Sequence, residues 1–397
     1  MAATLLSSRA LDDLQGLPRV LGVLPARGPV RGTLLFVVGG VHGNEPAGVR
    51  AIRTVFGAIE SRGLEVQGRL VGLVGNARAL AQGKRFLCTD LNRLWTEERL
   101  LSLRASGEPV RDPETLEQCA LLEAIDEHLA GDWEHVILLD LHSTSAGGAP
   151  FTIISDTLQN RPLAFALPVP VLLGLEERIQ GTLLSLFADR GHVAMCLEGG
   201  QNDLPSTVDH HVAALWLTLV GAGLLRAVDV RELEEHRARL KNSASNLPPV
   251  VELRYRYGIP DGAHFEMRPG FENFQPVRRG EVLARIDAGS GEREVQSPLS
   301  GRVLMPRYQT LGDDGFFLGR EVRPFWLRLS GWLRRARLAW TLLLLPGVRR
   351  DRARRGELVV NRSIARWFTV EILHLFGYRW RSREGRLVRF VRRRDAV

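Results

Sequence analysis

Leu34-Leu35-Phe36-Val37-Val38-Gly39-Gly40 is an unbroken apolar run that ends in two glycines, and Val41-His42-Gly43-Asn44-Glu45 follows it at once. A run of this length, stopped by glycine, reads as a strand buried on both faces of a parallel sheet. Its end presents an imidazole and a carboxylate three residues apart. Those are ligand types of catalytic zinc, which takes three protein ligands and keeps one position for water. An H-x-x-E spacing is common, so the weight falls on a third ligand. His142 supplies it: five of the six residues before it, Val136-Ile137-Leu138-Leu139-Asp140-Leu141, are apolar, and Ser143-Thr144-Ser145 closes the run. In open α/β sheets ligands collect at the carboxyl ends of strands, so the two strand ends are expected to converge. The plainer reading, a loop-capping His42 and an ordinary strand-end His142, suits either residue singly better than it suits the pair.

Outward from this strand, residues 1–240 alternate strand-like and helix-like segments. Strands are expected at Thr33–Val38, Arg69–Val74, His135–Leu141, Phe151–Ile154, Val169–Leu173 and Val193–Leu197. Helices are expected at Pro46–Glu60, Pro113–Leu129, Gly181–Asp189 and Thr207–Val228. Such alternation predicts an α/β fold, a sheet with helices on its faces. The polar, proline-ended stretch 241–249 reads as a linker. Beyond it, Val250–Arg256, Gly280–Ile286, Arg293–Gln296 and Gly301–Met305 are short strand-like pieces between Gly and Pro turns, which predicts a small β-domain over 248–325. The remainder, 326–397, is an Arg-rich tail of mixed α and β character. It has an amphipathic stretch around Trp332–Leu345, a helix expected at Arg362–Phe376 and a terminal strand at Leu387–Val391.

Charge is unevenly distributed. The chain of 397 residues carries a net +8, yet residues 321–397 hold 20 Arg against 6 acidic residues, so the rest is net acidic. Lys84 and Lys241 are the only lysines. Cys88, Cys119 and Cys196 are too few and too scattered for a disulfide framework, which points to a reducing, cytoplasmic compartment. Residues 1–16 lack the charged and apolar regions of a secretory signal. No apolar stretch reaches the roughly 18 residues needed to span a bilayer, Leu338–Pro346 coming nearest. Phosphate-loop and dinucleotide fingerprints are absent.

A second polar group lies between the two ligand strands. Asn76-Ala77-Arg78 follows one strand, and Asp90-Leu91-Asn92-Arg93 comes fourteen residues later. A planar guanidinium grips a carboxylate through two parallel bonds, and Asn donates to the same group or to a carbonyl. A carboxylate-bearing small molecule is the expected substrate, with Asp90 a structural partner of one arginine. Finally, Val193-Ala194-Met195-Cys196-Leu197 ends in Glu198-Gly199-Gly200. A strand-end glutamate in a partly desolvated metal site can take a proton from water and pass it to a leaving nitrogen.

These motifs together resemble the succinylglutamate desuccinylase/aspartoacylase family of zinc amidohydrolases, relatives of the zinc carboxypeptidases. The resemblance rests on G-G-V-H-G-N-E at 39–45, N-A-R at 76–78, D-L-N-R at 90–93, D-L-H-S-T at 140–144 and L-E-G-G at 197–200. It continues through 268–274, 297–301 and 312–317 in the β-domain, so it covers about residues 30–325. It implies a zinc carboxypeptidase-like mixed sheet flanked by helices and one Zn2+ per chain, held by His42, Glu45 and His142. It further implies Glu198 as general base and acid, with Arg78, Asn92 and Arg93 on the substrate. Family members acting on N-acyl amino acids use another arginine shortly before the glutamate; Arg178 and Arg190 are the candidates, and neither falls at the family's position. The family's C-terminal-domain tyrosine has only a weak counterpart, Tyr308, a second departure from the family's pattern.

The expected activity is hydrolysis of the amide of an N-acyl amino acid, or a close analogue, to a carboxylate and a free amine by metal-activated water. The alternatives are a metallocarboxypeptidase acting on peptides and a non-catalytic binding protein on the same scaffold. For the tail, a folded appendage or homo-oligomer contact ranks ahead of docking on anionic membrane or nucleic acid.

Overall fold

The computed structural model describes residues 14–25, 31–106, 111–289, 291–351, 354, 356–365 and 369–395. The apolar run becomes strand β2 (Thr33–Gly39), buried throughout after Thr33. Alternate side chains serve two cores: Leu34, Phe36 and Val38 on one side of the sheet, Leu35 and Val37 on the other. A strand covered on both faces needs no polar alternation, hence its continuous apolar sequence.

Eleven strands form one mixed sheet. β1 (Val20–Leu24) is an edge strand antiparallel to β3 (Arg69–Val74). β3, β2, β4 (His135–Thr144) and β7 (Val193–Gln201) then pair in parallel. β5 (Phe151–Ile154) runs antiparallel to β7, with β6 (Val171–Leu173) parallel beside it. α1 (Ala47–Arg62) and α4 (Pro205–Gly221) cover one face, through residues such as Ile52, Phe56, Leu215 and Leu219. α2 (Pro113–Leu129) and α3 (Leu183–Asp189) cover the other, through Leu121, Ile125, Leu183 and Phe187.

Two strands run further than the apolar pattern indicates. β4 continues to Thr144 and β7 to Gln201, so His142 and Glu198 lie inside strands and face each other in register. Apolar runs stop where the site begins, whereas the backbone ladder does not. β1 and the helices at 97–106, 160–166 and 233–243 carry too weak a pattern to be expected; the last of these occupies the start of the expected linker.

β8 (Val250–Gly258), expected in the separate β-domain, pairs with β6 on one side and β14 (Asp314–Glu321) on the other. The great sheet then continues to β13 (Gly301–Leu304) and β10 (Pro276–Val277). The linker region therefore ends the helical layers but not the sheet. β9 (His264–Met267), β11 (Val282–Asp287) and β12 (Glu292–Gln296) make a three-stranded antiparallel sheet, and Phe265, Leu283, Val303 and Phe316 share a separate core.

The Arg-rich tail comprises α5 (Pro324–Arg335), a 3-10 segment at 338–344, α6 (Thr369–Leu375) and a four-stranded antiparallel sheet. That sheet contains β15 (Val348–Arg350), β16 (Glu357–Asn361), β17 (Tyr378–Glu384) and β18 (Leu387–Arg392). Of the helix expected over 362–376, residues 366–368 lie outside those described. The tail has its own small core around Leu358, Val360, Leu373 and Phe390. Buried ion pairs fasten it to the rest: Arg334 to Asp156, Arg393 to Glu176 and Glu177, and His374 to Glu177 and Glu252.

Candidate active site

The short turn between β2 and α1 places two functional groups above the carboxyl end of the sheet. Glu45 N–H donates to the His42 carbonyl at 3.1 Å, closing the turn, and Gly43 N–H donates to the Arg85 carbonyl at 3.1 Å. Gly43 is required here by crowding: a Cβ would stand 2.1 Å from the Ala79 carbonyl carbon. α1 starts immediately afterwards, seated so closely that a Cβ on Gly39 would lie 2.7 Å from the Gly48 carbonyl carbon. His142 arrives from β4, the adjacent strand.

His42, Glu45 and His142 are all buried, and one ligand atom from each lies within 4.8 Å of the others. The Glu45 carboxylate sits between the imidazoles, Oε1 2.9 Å from His42 Nδ1 and Oε2 3.0 Å from His142 Nδ1. The opposite nitrogens each meet another carboxylate. His42 Nε2 is 3.1 Å from Asp90 Oδ1. His142 Nε2 is 3.0 Å from Asp140 Oδ2, although the two are not aligned as a hydrogen bond. Carboxylates behind the outer nitrogens orient the rings and leave the inner lone pairs for a cation, the usual support of a histidine metal site. Two imidazoles and a carboxylate with one open side are the donor set of a catalytic zinc, so these residues fit the ion that the resemblance implies.

Electrostatics follow from this packing. Burial raises the Glu45 carboxyl, but His42 and His142 outweigh it and hold the group well below the usual carboxylate range. Burial lowers His142, yet Asp140 and Glu45 carry it well above the ordinary imidazole value. Glu198, across the β4–β7 register from His142, behaves oppositely. Burial pushes its carboxyl up to about 7, with the Glu45 charge adding and His142 opposing. Its Oε2 is buried and has no hydrogen-bond partner, which leaves that oxygen free to accept a proton. Close behind, His211 Nε2 is 3.0 Å from the His142 carbonyl, and a Cβ on Gly199 would strike the His211 ring.

The cavity over these groups is lined by His42, Glu45, His142 and Glu198, by Asn92 and Arg93, and by Arg85, Arg307 and Gln309. Asn92 accepts from the Leu183 N–H through Oδ1 at 2.9 Å, so its NH2 end is left for the cavity. Arg93 is braced by Asp314 at 2.8 Å, and Arg256 holds the other oxygen of that carboxylate. Arg78 is not brought here. Asn76 caps the one-turn helix 77–80, whose buried residues are Ala79 and Leu80; Arg78 points outward, about half exposed, with Nε 3.2 Å from Glu117. Neither Arg178 nor Arg190 lines the cavity, and Arg190 is paired with Glu97 at 2.8 Å. Tyr308 is likewise turned away, its hydroxyl donating to the Arg268 carbonyl and accepting from Phe271 N–H.

Sequence reading missed Arg85, which lines the cavity where Arg78 does not. Its Nη1 is 3.2 Å from Glu45 and its Nη2 3.4 Å from Asp90. It also missed Arg307 and Gln309, flanking Tyr308, although Gln309 reaches Asn44 at 3.0 Å. Asp140 was missed as well, although a signal existed: residues two apart in a strand share a face, which sets Asp140 and His142 on the same side of β4.

Part of the chain that carries this site is similar to known proteins. The model of the succinylglutamate desuccinylase/aspartoacylase catalytic domain matches residues 31–201. Succinylglutamate desuccinylase of Erwinia tasmaniensis is 31% identical over 136 residues, 33% of this chain and 39% of that protein. The enzyme of Pseudomonas putida strain GB-1 is 34% identical over 82 residues, 21% of this chain and 24% of that protein. The chain thus matches less than half the length of these curated relatives. Among solved structures, a succinylglutamate desuccinylase/aspartoacylase from Rhodobacter sphaeroides superposes with TM-score 0.52 at 20% identity, covering 74% of this chain and 87% of that one. The product-bound ectoine utilization protein of Ruegeria pomeroyi gives 0.51 at 20% identity, covering 74% and 86%. At that identity the superpositions speak for the fold, a mixed α/β sheet with an added β-region. Residues 31–201 of this chain are thus similar in sequence to the succinylglutamate desuccinylase/aspartoacylase catalytic domain.

Proposed function

We propose that the protein is a zinc-dependent amidohydrolase that cleaves the amide of an N-acyl amino acid, or a close analogue, into a carboxylate and a free amine. The observation that carries this reading is the buried His42–Glu45–His142 cluster with an unpartnered Glu198 oxygen beside it, in one cavity with three guanidinium groups. A zinc ion held by His42, Glu45 and His142 would supply Lewis acidity and bring the pKa of water to about 7. Glu198, near neutrality in its proton affinity, takes a proton from the attacking water and returns it to the departing nitrogen. Asp90 and Asp140 keep the imidazoles oriented.

The substrate carboxylate falls to the arginines. Arg85, Arg93 and Arg307 each have a buried Nε without a hydrogen-bond partner, which suits them to an anion entering the cavity. Arg85 and Arg93, with Asn92, form the group that positions the acyl amino acid and steadies the developing oxyanion. Arg78 has no part in this arrangement. All three cysteines are unpaired, which supports the expected reducing, cytoplasmic setting.

The test is Glu198→Gln, assayed on a panel of N-acyl amino acids and C-terminal peptides, with metal content measured in parallel. Turnover should fall about 10²- to 10⁴-fold, the usual worth of a positioned general base, with metal retained. Near-wild-type turnover in that variant would refute the role of Glu198. Release of C-terminal residues from peptides without acyl release would replace the reading by a carboxypeptidase, and wild-type protein without bound metal would replace it by a binding protein.

A further inference from the structure

Helix α5 is turned inside out. Leu327, Ser330, Gly331 and Arg334 fall at helical spacings of three and four and face the protein. Arg334, 2% exposed, enters the interior to meet Asp156 and Asp395. Phe325, Arg328, Trp332 and Arg335 fall at i, i+3, i+7 and i+10 on the opposite side, and all are exposed. Phe325 is 63% exposed and Trp332 60%. A helix in water normally does the reverse, hiding tryptophan and showing arginine.

The neighbouring chain has the same character. The 3-10 segment that follows exposes Trp340 at 58% and Leu344 at 74%, and Ile364 is exposed at 58%. Trp326, also exposed, stacks edge-on against Phe325. Half of the large apolar side chains exposed among the described residues thus come from positions 325–364. That same span contains 10 arginines and only Asp351 and Glu357 as acids. Glu357 is buried and paired with Arg381, and Asp351 is paired with Arg389.

We propose that this face of the tail docks on an anionic lipid surface, with Phe325, Trp332 and Trp340 entering the headgroup region and the surrounding arginines meeting lipid phosphates. Aromatic side chains between arginines on one helix face are the composition of an interfacial amphipathic helix, which lies in the plane of the bilayer. No helix among the described residues is long and apolar enough to cross a membrane, so contact through this face is peripheral. Two other occupants fit less well. A second copy, meeting this face about a twofold axis, would set Arg328 and Arg335 against their equivalents. A nucleic acid would use the aromatics for stacking, but Leu344 and Ile364 offer no ring face to a base.

The experiment is co-sedimentation of the full-length protein with vesicles of phosphatidylcholine alone or with roughly 30% phosphatidylglycerol, at about 0.1 M salt. Binding to the anionic vesicles should exceed binding to the neutral ones by about tenfold or more and weaken as salt rises. Phe325→Ser/Trp332→Ser and Arg328→Glu/Arg335→Glu should each lower it by about tenfold or more. Both pairs are exposed, so thermal melting should stay close to wild type. Absence of vesicle binding, equal binding to neutral vesicles, or undiminished binding by the Phe325→Ser/Trp332→Ser variant would overturn the proposal. So would oligonucleotide binding or Trp332-dependent dimerisation without vesicle binding.

Discussion

Replacing Arg334 with methionine removes a cation from a place that water does not reach. Its Nε and Nη2 donate to the Asp395 carboxylate at 2.9 and 2.5 Å. Nη2 also reaches the Asp156 carbonyl at 2.8 Å, and Nη1 reaches Asp156 Oδ2 at 3.4 Å. The two acids then fare differently. Asp156 retains Arg161, bonded through Nε at 2.7 Å and Nη2 at 3.0 Å. The Asp395 carboxylate, on a side chain 3% exposed, retains the Leu158 N–H at 2.9 Å and no other hydrogen bond among the described residues. Removing one member of a buried ion pair costs about 3–5 kcal/mol, and methionine recovers a little through packing. A loss of about 3 kcal/mol is therefore expected, confined largely to the tail because the tail has a core of its own. Amide hydrogen exchange in β17 and β18 should accelerate about 100-fold, at about 1.4 kcal/mol per factor of ten. Adding Asp395→Asn should restore about half of the loss, since the stranded charge is gone. Exchange within about threefold of wild type in Arg334→Met, or a double variant whose loss equals the sum of the singles, would refute the reasoning.

His374 makes tail attachment depend on pH. Burial lowers its imidazole, but Glu177 and Glu252 outweigh that and raise it to about 9. The stabilisation is complete below about 6.5 and lost as pH climbs through about 9, up to roughly 3 kcal/mol; His374→Gln should flatten this dependence in urea titrations. Arg85→Ala should raise KM for the acyl amino acid about 10- to 100-fold, whereas Arg78→Ala should leave it unchanged. Equal effects in steady-state kinetics would contradict the assignment. Gly43→Ala must push the 40–45 turn off the Ala79 backbone, so a drop of about 1–3 kcal/mol in stability and reduced metal content are expected, read by melting and by elemental analysis.

The parts of the site carried by strands were legible because a strand announces itself locally. β2 and β4 are apolar runs with polar ends, and those ends are where His42, Glu45 and His142 stand. Glu198 followed from the same rule. What failed were side chains placed by contacts distant in sequence. Arg85 owes its position to the Gly43 N–H bond at its carbonyl, and Arg307 and Gln309 arrive from a hairpin more than 200 residues away. Arg78 looked equivalent to them by composition, yet the Asn76 cap fixes the short helix so that it faces Glu117. The pairing of strands across 241–249 was not legible for a related reason. A proline-ended polar stretch marks a change in local structure, but nothing local shows that β8 will pair with β6 as well as β14.

That double pairing limits how the cavity can open. Hinge closure needs a line across the molecule that few backbone hydrogen bonds cross. Here the wall bearing His42 and His142 and the wall bearing Arg307 and Asp314 hang from one uninterrupted ladder of strands. Substrate entry is therefore left to loop-scale motion, chiefly of the 305–313 hairpin resting on Asn44 through Gln309. Loosening this contact, which the Tyr308 N–H bond to Ser145 Oγ at 3.0 Å supports, should change the rates of entry and release while the chemistry beneath it stays the same.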